Sequence, residues 1–230
     1  MTVIAAVLLA VSSEGLKPLQ EANIAFEKRT NILAAVKKKG LDKKAANNLY
    51  EQQVQPLVVN SNGEEITGVD AFTIVLKDEA EKDEAERKLP LYIYTETDGN
   101  KYYVLPVQGT GLWGPIWGYV SLTSDFNTVY GAFFDHKGET PGLGAEIGTD
   151  IFQAQFEGKK MMDESNSFVS VRVFKKGTAG TTAKEHYVDG ISGGTITSVA
   201  TDKMIDKWLK QYLPYFDKLK SSSTPQTTAL

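Results

Sequence analysis

Cysteine is absent from this 230-residue chain. That excludes disulfides, a cysteine-ligated iron–sulfur cluster and a cysteine zinc site. It leaves the redox compartment open, because a chain without thiols suits either environment. Histidine occurs twice, at His136 and His186, too sparsely for a histidine-rich metal centre. Positive charge is not in excess either. With 25 basic and 29 acidic residues the net charge is −4, without the basic footprint of a nucleic-acid binder. Long apolar runs are also missing: Val3 to Val11 is unbroken but spans nine residues, where a membrane span needs about 20. The basic flank and cleavage site of a signal peptide are lacking there. As sequence, this run fits a buried segment or the end of a longer span.

What is present is globular in composition, 41% hydrophobic and 23% charged. The length allows one large domain or two small ones. Leu19, Ala22, Phe26, Leu33 and Val36 recur at helical spacing, with Lys37 to Lys39 and Gly40 as stop signals. This predicts an amphipathic helix packed on the domain, and a second helix follows over about 43–53. NSNGEE reads as a turn and VDAFTIVL as a strand. DEAEKDEAERK reads as a solvated segment without a site. LYIYTETDGNKYYVLPV is a hairpin turning at Asp98-Gly99, and further strand signals continue through the middle of the chain. Ile205, Trp208, Leu209 and Tyr212 form the apolar stripe of a closing helix limited by Pro214. The final SSSTPQTTAL reads as a frayed tail. The expected class is α+β, mostly antiparallel sheets with flanking helices.

Three stretches carry possible chemistry. In DGISGGTITSVATDKMIDKW, Asp189 to Trp208, two glycines and several hydroxyls precede a helix. Helix starts leave N–H groups unpaired and favour negative charge. Gly193 and Gly194 would admit a phosphate to that backbone, and Ser192, Thr195 and Thr197 would offer hydroxyls. The stretch is neither a P-loop nor a GxGxxG fingerprint, and a plain capped turn remains the competing reading. The second stretch, HKGETPGLGAE, is a close-approach loop that suits a flat ligand or simply a long turn. The third, GTGLWGPIWG, sets Trp113 and Trp117 among glycines, as a stacking surface or as core. No triad or acid–base carboxylate pair is evident. No catalytic side chain and no metal ligand is assigned.

In this order, ETPGLG followed some fifty residues later by DGxSGxT resembles the FMN-binding domain family. KPLQEANIAFEKRTNILAAV, YVLPVQGTGLWGPIWGYVSL and ETPGLGAEI narrow the likeness, over about Leu16 to Leu213, to the C subunits of sodium-translocating NADH:quinone oxidoreductases. An electron carrier similar to the G subunits of Rnf-type complexes is the alternative, and a flavin-free binding or scaffold module a further one. The resemblance implies FMN joined by a phosphoester to Thr195, with Asp189, Ser192, Gly193 and Gly194 completing the motif. Gly194 replaces the family's usual alanine, which would cost about 0.5–1 kcal/mol if that position is helical. Thr197 and Ser198 stay open as acceptors. Glu139 would orient the loop, and Thr140, Gly142, Leu143, Gly144 and Trp113 would meet the flavin ring. The implied partners are other subunits of a membrane redox complex and a magnesium-dependent flavin transferase, with no nucleic acid. The implied layout is a truncated transmembrane anchor over 1–12, a helical segment over 13–57, the flavin domain over 58–213 and a tail over 214–230. The expected location is the bacterial cytoplasmic membrane, with the soluble part on the periplasmic side.

Overall fold

The computed structural model describes residues 2–223. Its centre is a five-stranded antiparallel meander, β1 (Val54–Val59), β2 (Leu89–Thr95), β3 (Lys101–Thr110), β4 (Pro115–Leu122) and β5 (Val129–His136), paired in chain order. The β2–β3 hairpin turns over residues 96–100, with Gly99 at φ 89° and Asn100 N donating to Asp98 Oδ1 at 2.9 Å. Alternation along the strands gives the sheet two apolar faces. One face carries Leu91, Leu105, Val107, Ile116 and Phe134 against Met204, Ile205, Trp208 and Leu209 of helix α5 (Thr195–Gln211). The other carries Tyr92, Tyr94, Val104 and Tyr119 against the end of α1 (Thr2–Ala35) and against α2 (Lys43–Gln53). Short helices α3 (Leu76–Ala80) and α4 (Asp150–Ala154) fill the edges. A two-stranded parallel pair, β6 (Arg172–Phe174) with β7 (Tyr187–Asp189), leads into α5. The architecture is the expected α+β type.

Several local expectations are corrected. Val69 to Leu76 forms no strand: Asp70 accepts from Phe72 N at 2.8 Å and caps a 3-10 turn at Ala71–Thr73. Among the described side chains of α1, only those of the last turns pack closely. Leu33 and Val36 are fully buried, whereas Leu19 is 63% exposed and Ala22 is exposed too. The helix stops at Ala35, five residues before Gly40, because Lys37 takes the left-handed conformation at φ 65°. The charged run that begins at Asp78 within α3 is less solvated than it reads, since Glu79 and Arg87 are buried, Arg87 Nε donating to Glu79 O at 3.1 Å.

The division at 57/58 falls inside β1, which pairs with β2, so the helices before it and the sheet share one core. The tail expected from 214 begins with α6 (Leu213–Ser223), which buries Tyr215 and Phe216. Pro214 ends one helix and suits the first turn of the next, where its missing N–H has no partner to lose. Residues 224–230 of that tail lie outside the described residues, as do the side chains of the 1–12 segment. Among the described residues no helix is long and apolar enough to cross a membrane.

Lys28, on α1, is half-buried beside the sheet, and burial lowers its amine to about 8 against the attraction of Asp70. Between pH 8 and its ordinary 10.5, the unfolded chain keeps a proton that the folded chain releases, so this contribution to stability rises with pH. Below pH 8 it is unfavourable throughout. Lys28→Met is therefore expected to stabilise the fold at pH 7 by about 1 kcal/mol, after allowing for solvent screening. Urea midpoints at pH 7 and at high pH check this: the gain should shrink as the medium approaches the free lysine's own titration.

Candidate cofactor site

Two segments 58 residues apart meet at one end of the sheet, where β5 gives way to the ETPGLG loop and β7 gives way to α5. Glu139 is 4% exposed and joins them. One carboxylate oxygen accepts from Thr197 Oγ1 at 2.6 Å and the other from Trp113 N at 2.8 Å, at the tip of the β3–β4 hairpin. Gly144 makes this contact possible, because a Cβ there would lie 2.4 Å from both Glu139 Oε2 and Thr197 Oγ1. Gly193 serves the opposite wall. It sits at φ 78°, and a Cβ on it would stand 2.7 Å from Leu143 Cδ2. Gly142 N donates to Glu146 Oε1 at 2.9 Å and shapes the loop from below.

The hydroxyls of the glycine-rich turn sort cleanly. Thr197 is buried and committed to Glu139. Ser198 is buried and accepts from Ile191 N at 2.9 Å. Ser192 and Thr195 are exposed. Gly194 is the N-cap of α5, at φ −101° and ψ 40°, and no side chain caps it. The capped-turn reading thus lacks its capping side chain. The penalty expected for glycine at 194 does not apply either, because the position is a cap, where glycine is tolerated well.

Thr195 opens on a cavity of 330 Å³ lined also by Phe174, Lys175, Thr178 and Gly190. A neighbouring groove of 510 Å³ runs past Gly142, Asp189, Ser192 and Lys176. Thr140, Gly142 and Leu143 are exposed along its loop, and the Trp113 side chain is 67% exposed. The structure therefore brings the expected residues together. Asp189 closes β7 and is held through its backbone, its N–H donating to Gln155 Oε1 at 3.0 Å. Lys175 and Lys176 escaped the sequence reading. The signal was the lysine pair directly after the FVSVRVF strand, and their charge favours an anion at the start of α5.

The FMN-binding domain family matches residues 111–210, the stretch that holds β4, β5, the glycine-lined loop and most of α5. The chain is 32% identical over 228 residues to the C subunit of Na(+)-translocating NADH-quinone reductase from Vibrio vulnificus, covering 91% of this chain and 87% of that protein. It is 32% identical over 241 residues to its counterpart from Neisseria meningitidis, covering 96% and 92%. The crystal structure of the corresponding protein from Parabacteroides distasonis superposes with a TM-score of 0.79 at 40% identity, over 87% of this chain and 96% of that one. NqrC from Shewanella oneidensis gives 0.74 at 25% identity, over 87% and 99%. The chain belongs to the NqrC family, the C subunits of Na(+)-translocating NADH-quinone reductases.

Proposed function

We propose that this chain is an electron-carrying member of a sodium-pumping NADH:quinone reductase and that its FMN is joined by a phosphoester to Thr195 Oγ1. One observation carries the assignment. Thr195 is the exposed hydroxyl at the uncapped start of α5, whereas Thr197 and Ser198 are buried and already hydrogen-bonded. The site fits the group: the N–H groups of the first helical turn and the Lys175 side chain suit a phosphate, and the glycine-lined loop suits a flat ring.

FMN, when bound, supplies the electron transfer. The chain holds and positions it. Thr195 Oγ1 would displace the leaving group of an activated flavin nucleotide, its P–O bond breaking as the Oγ1–P bond forms and the hydroxyl proton departing with the leaving group or to solvent, and Gly193 lets the backbone approach. Leu143 and Trp113 offer exposed apolar surface to the ring, with Thr140, Gly142 and Gly144 forming the loop beneath. Glu139 fixes that loop to α5. Attachment by a flavin transferase makes Thr195 a substrate of a maturation enzyme. We assign Val3 to Val11 to a membrane anchor and the remainder to the periplasmic side. Other members of the complex would then supply and remove the electrons.

Co-expression with a flavin transferase should add the mass of FMN less one water to the chain. Thr195→Ala should abolish the addition, read by intact-protein mass spectrometry. An addition that survives this substitution moves the acceptor to Ser192 or another hydroxyl. None in the parent removes the covalent assignment.

A further inference from the structure

The face of the sheet away from α5 holds a separate cavity of 210 Å³, between α1, residues 74–76 and strands β2 to β4. Pro106, Tyr92, Trp117 and Tyr119 supply an apolar, largely aromatic wall, and Lys28 is its single lysine or arginine. The ammonium donates to Phe72 O at 2.5 Å and stands 4.7 Å from the Phe72 ring centre. An ammonium has three donors, so further N–H groups remain. No salt bridge joins Lys28 to a carboxylate among the described residues; Asp70, one of whose oxygens accepts from Phe72 N, attracts it from farther off. Tyr119 is 7% exposed, and among the described residues its hydroxyl forms no hydrogen bond; burial, then Tyr50 and the Glu27 carboxylate, hold the phenol in its neutral, donating form. Tyr92, by contrast, spends its hydroxyl on Ala71 O at 3.1 Å.

We propose that this cavity is a binding site for a small monocarboxylic acid with a flat apolar body. Lys28 and Tyr119 receive the carboxylate, and the ring lies on Trp117 and Pro106. A half-buried amine and a buried phenol with donors to spare are satisfied together by one carboxylate. One cation in a lining whose other polar side chains, Gln108, Tyr92 and Tyr119, are uncharged selects a monoanion over a phosphate. The volume is below that of a typical drug-sized pocket and matches a single ring with a short acid arm. The site lies across the sheet from Thr195 and stands independently of the flavin assignment.

The test is calorimetric titration of the full chain with trans-cinnamate and with its uncharged counterpart, cinnamyl alcohol. The acid should bind about tenfold more tightly than the alcohol. Lys28→Met should erase that preference, Lys28→Arg should retain most of it, and Tyr119→Phe should weaken the acid by about threefold. Thermal melting of each variant separates a binding effect from a folding one. Equal binding of acid and alcohol, a preference that persists in Lys28→Met, or no heat of binding with millimolar acid would each overturn the proposal.

Discussion

Asp202→Ala should lower the folding stability by about 3 kcal/mol. Asp202 is buried on α5 and accepts three hydrogen bonds from β6: Arg172 Nε at 2.9 Å, Arg172 Nη2 at 2.7 Å and Val173 N at 2.8 Å. Removing it strands a buried backbone N–H and leaves a guanidinium, itself held more basic by this carboxylate, without its partner. The Arg172 side chain is 38% exposed, which keeps the loss below that of a fully buried pair. A domain of this size should melt about 6–12 °C lower. Asp202→Asn retains an acceptor for Val173 N and should lose roughly half as much. Because this pair sets β6, and so Phe174 and Lys175, against α5, the alanine variant should also load flavin more slowly. A thermal scan and a flavin-incorporation time course read the two effects. Unchanged melting in Asp202→Ala would show that the pair contributes little.

Glu139 separates charge from shape. Glu139→Ala removes the acceptor of both Thr197 Oγ1 and Trp113 N and should cost about 2–3 kcal/mol, with loss of stable flavin loading. Glutamine can accept from Trp113 N and donate to Thr197 Oγ1, so Glu139→Gln should keep the fold and the loop. It removes a buried negative charge beside the proposed ring. Flavin reduction adds negative charge, so its loss should favour the reduced state about tenfold and raise the midpoint potential by about 59 mV per electron. Potentiometry of flavin-loaded protein measures this. A potential unchanged in a correctly loaded Glu139→Gln chain would leave Glu139 a purely structural tie.

The parts legible in the sequence are those governed by neighbours in the chain. Asp98-Gly99 announces its hairpin, the spacing of Ile205, Trp208, Leu209 and Tyr212 announces α5, and the punctuation of ETPGLG announces a close-approach loop. Contacts across the fold were not legible. Nothing near Thr197 tells that its hydroxyl is taken by a carboxylate 58 residues away, so spacing left Thr197 and Ser198 open beside Thr195 until the fold separated them. Val69 to Leu76 has the apolar content of a strand, yet one hydrogen bond, donated by Phe72 N to the Asp70 side chain, turns it. Strand β1 was hidden by Pro56, which is admissible because β1 lies at the sheet edge and need not donate on both sides.

Helix α1 is unbroken from Thr2 to Ala35, and among its described side chains close packing is confined to the last turns. It therefore fixes azimuth as well as reach for anything that grips its beginning. Its full length is about 51 Å at 1.5 Å per residue. Deleting four residues would draw the domain in by about 6 Å and rotate it by about 40°. Deleting seven would draw it in by about 10 Å with only about 20° of counter-rotation. The direction in which Thr195 faces is thus set by helical phase, and a partner that must meet this edge would tolerate a seven-residue shortening far better in angle than in distance.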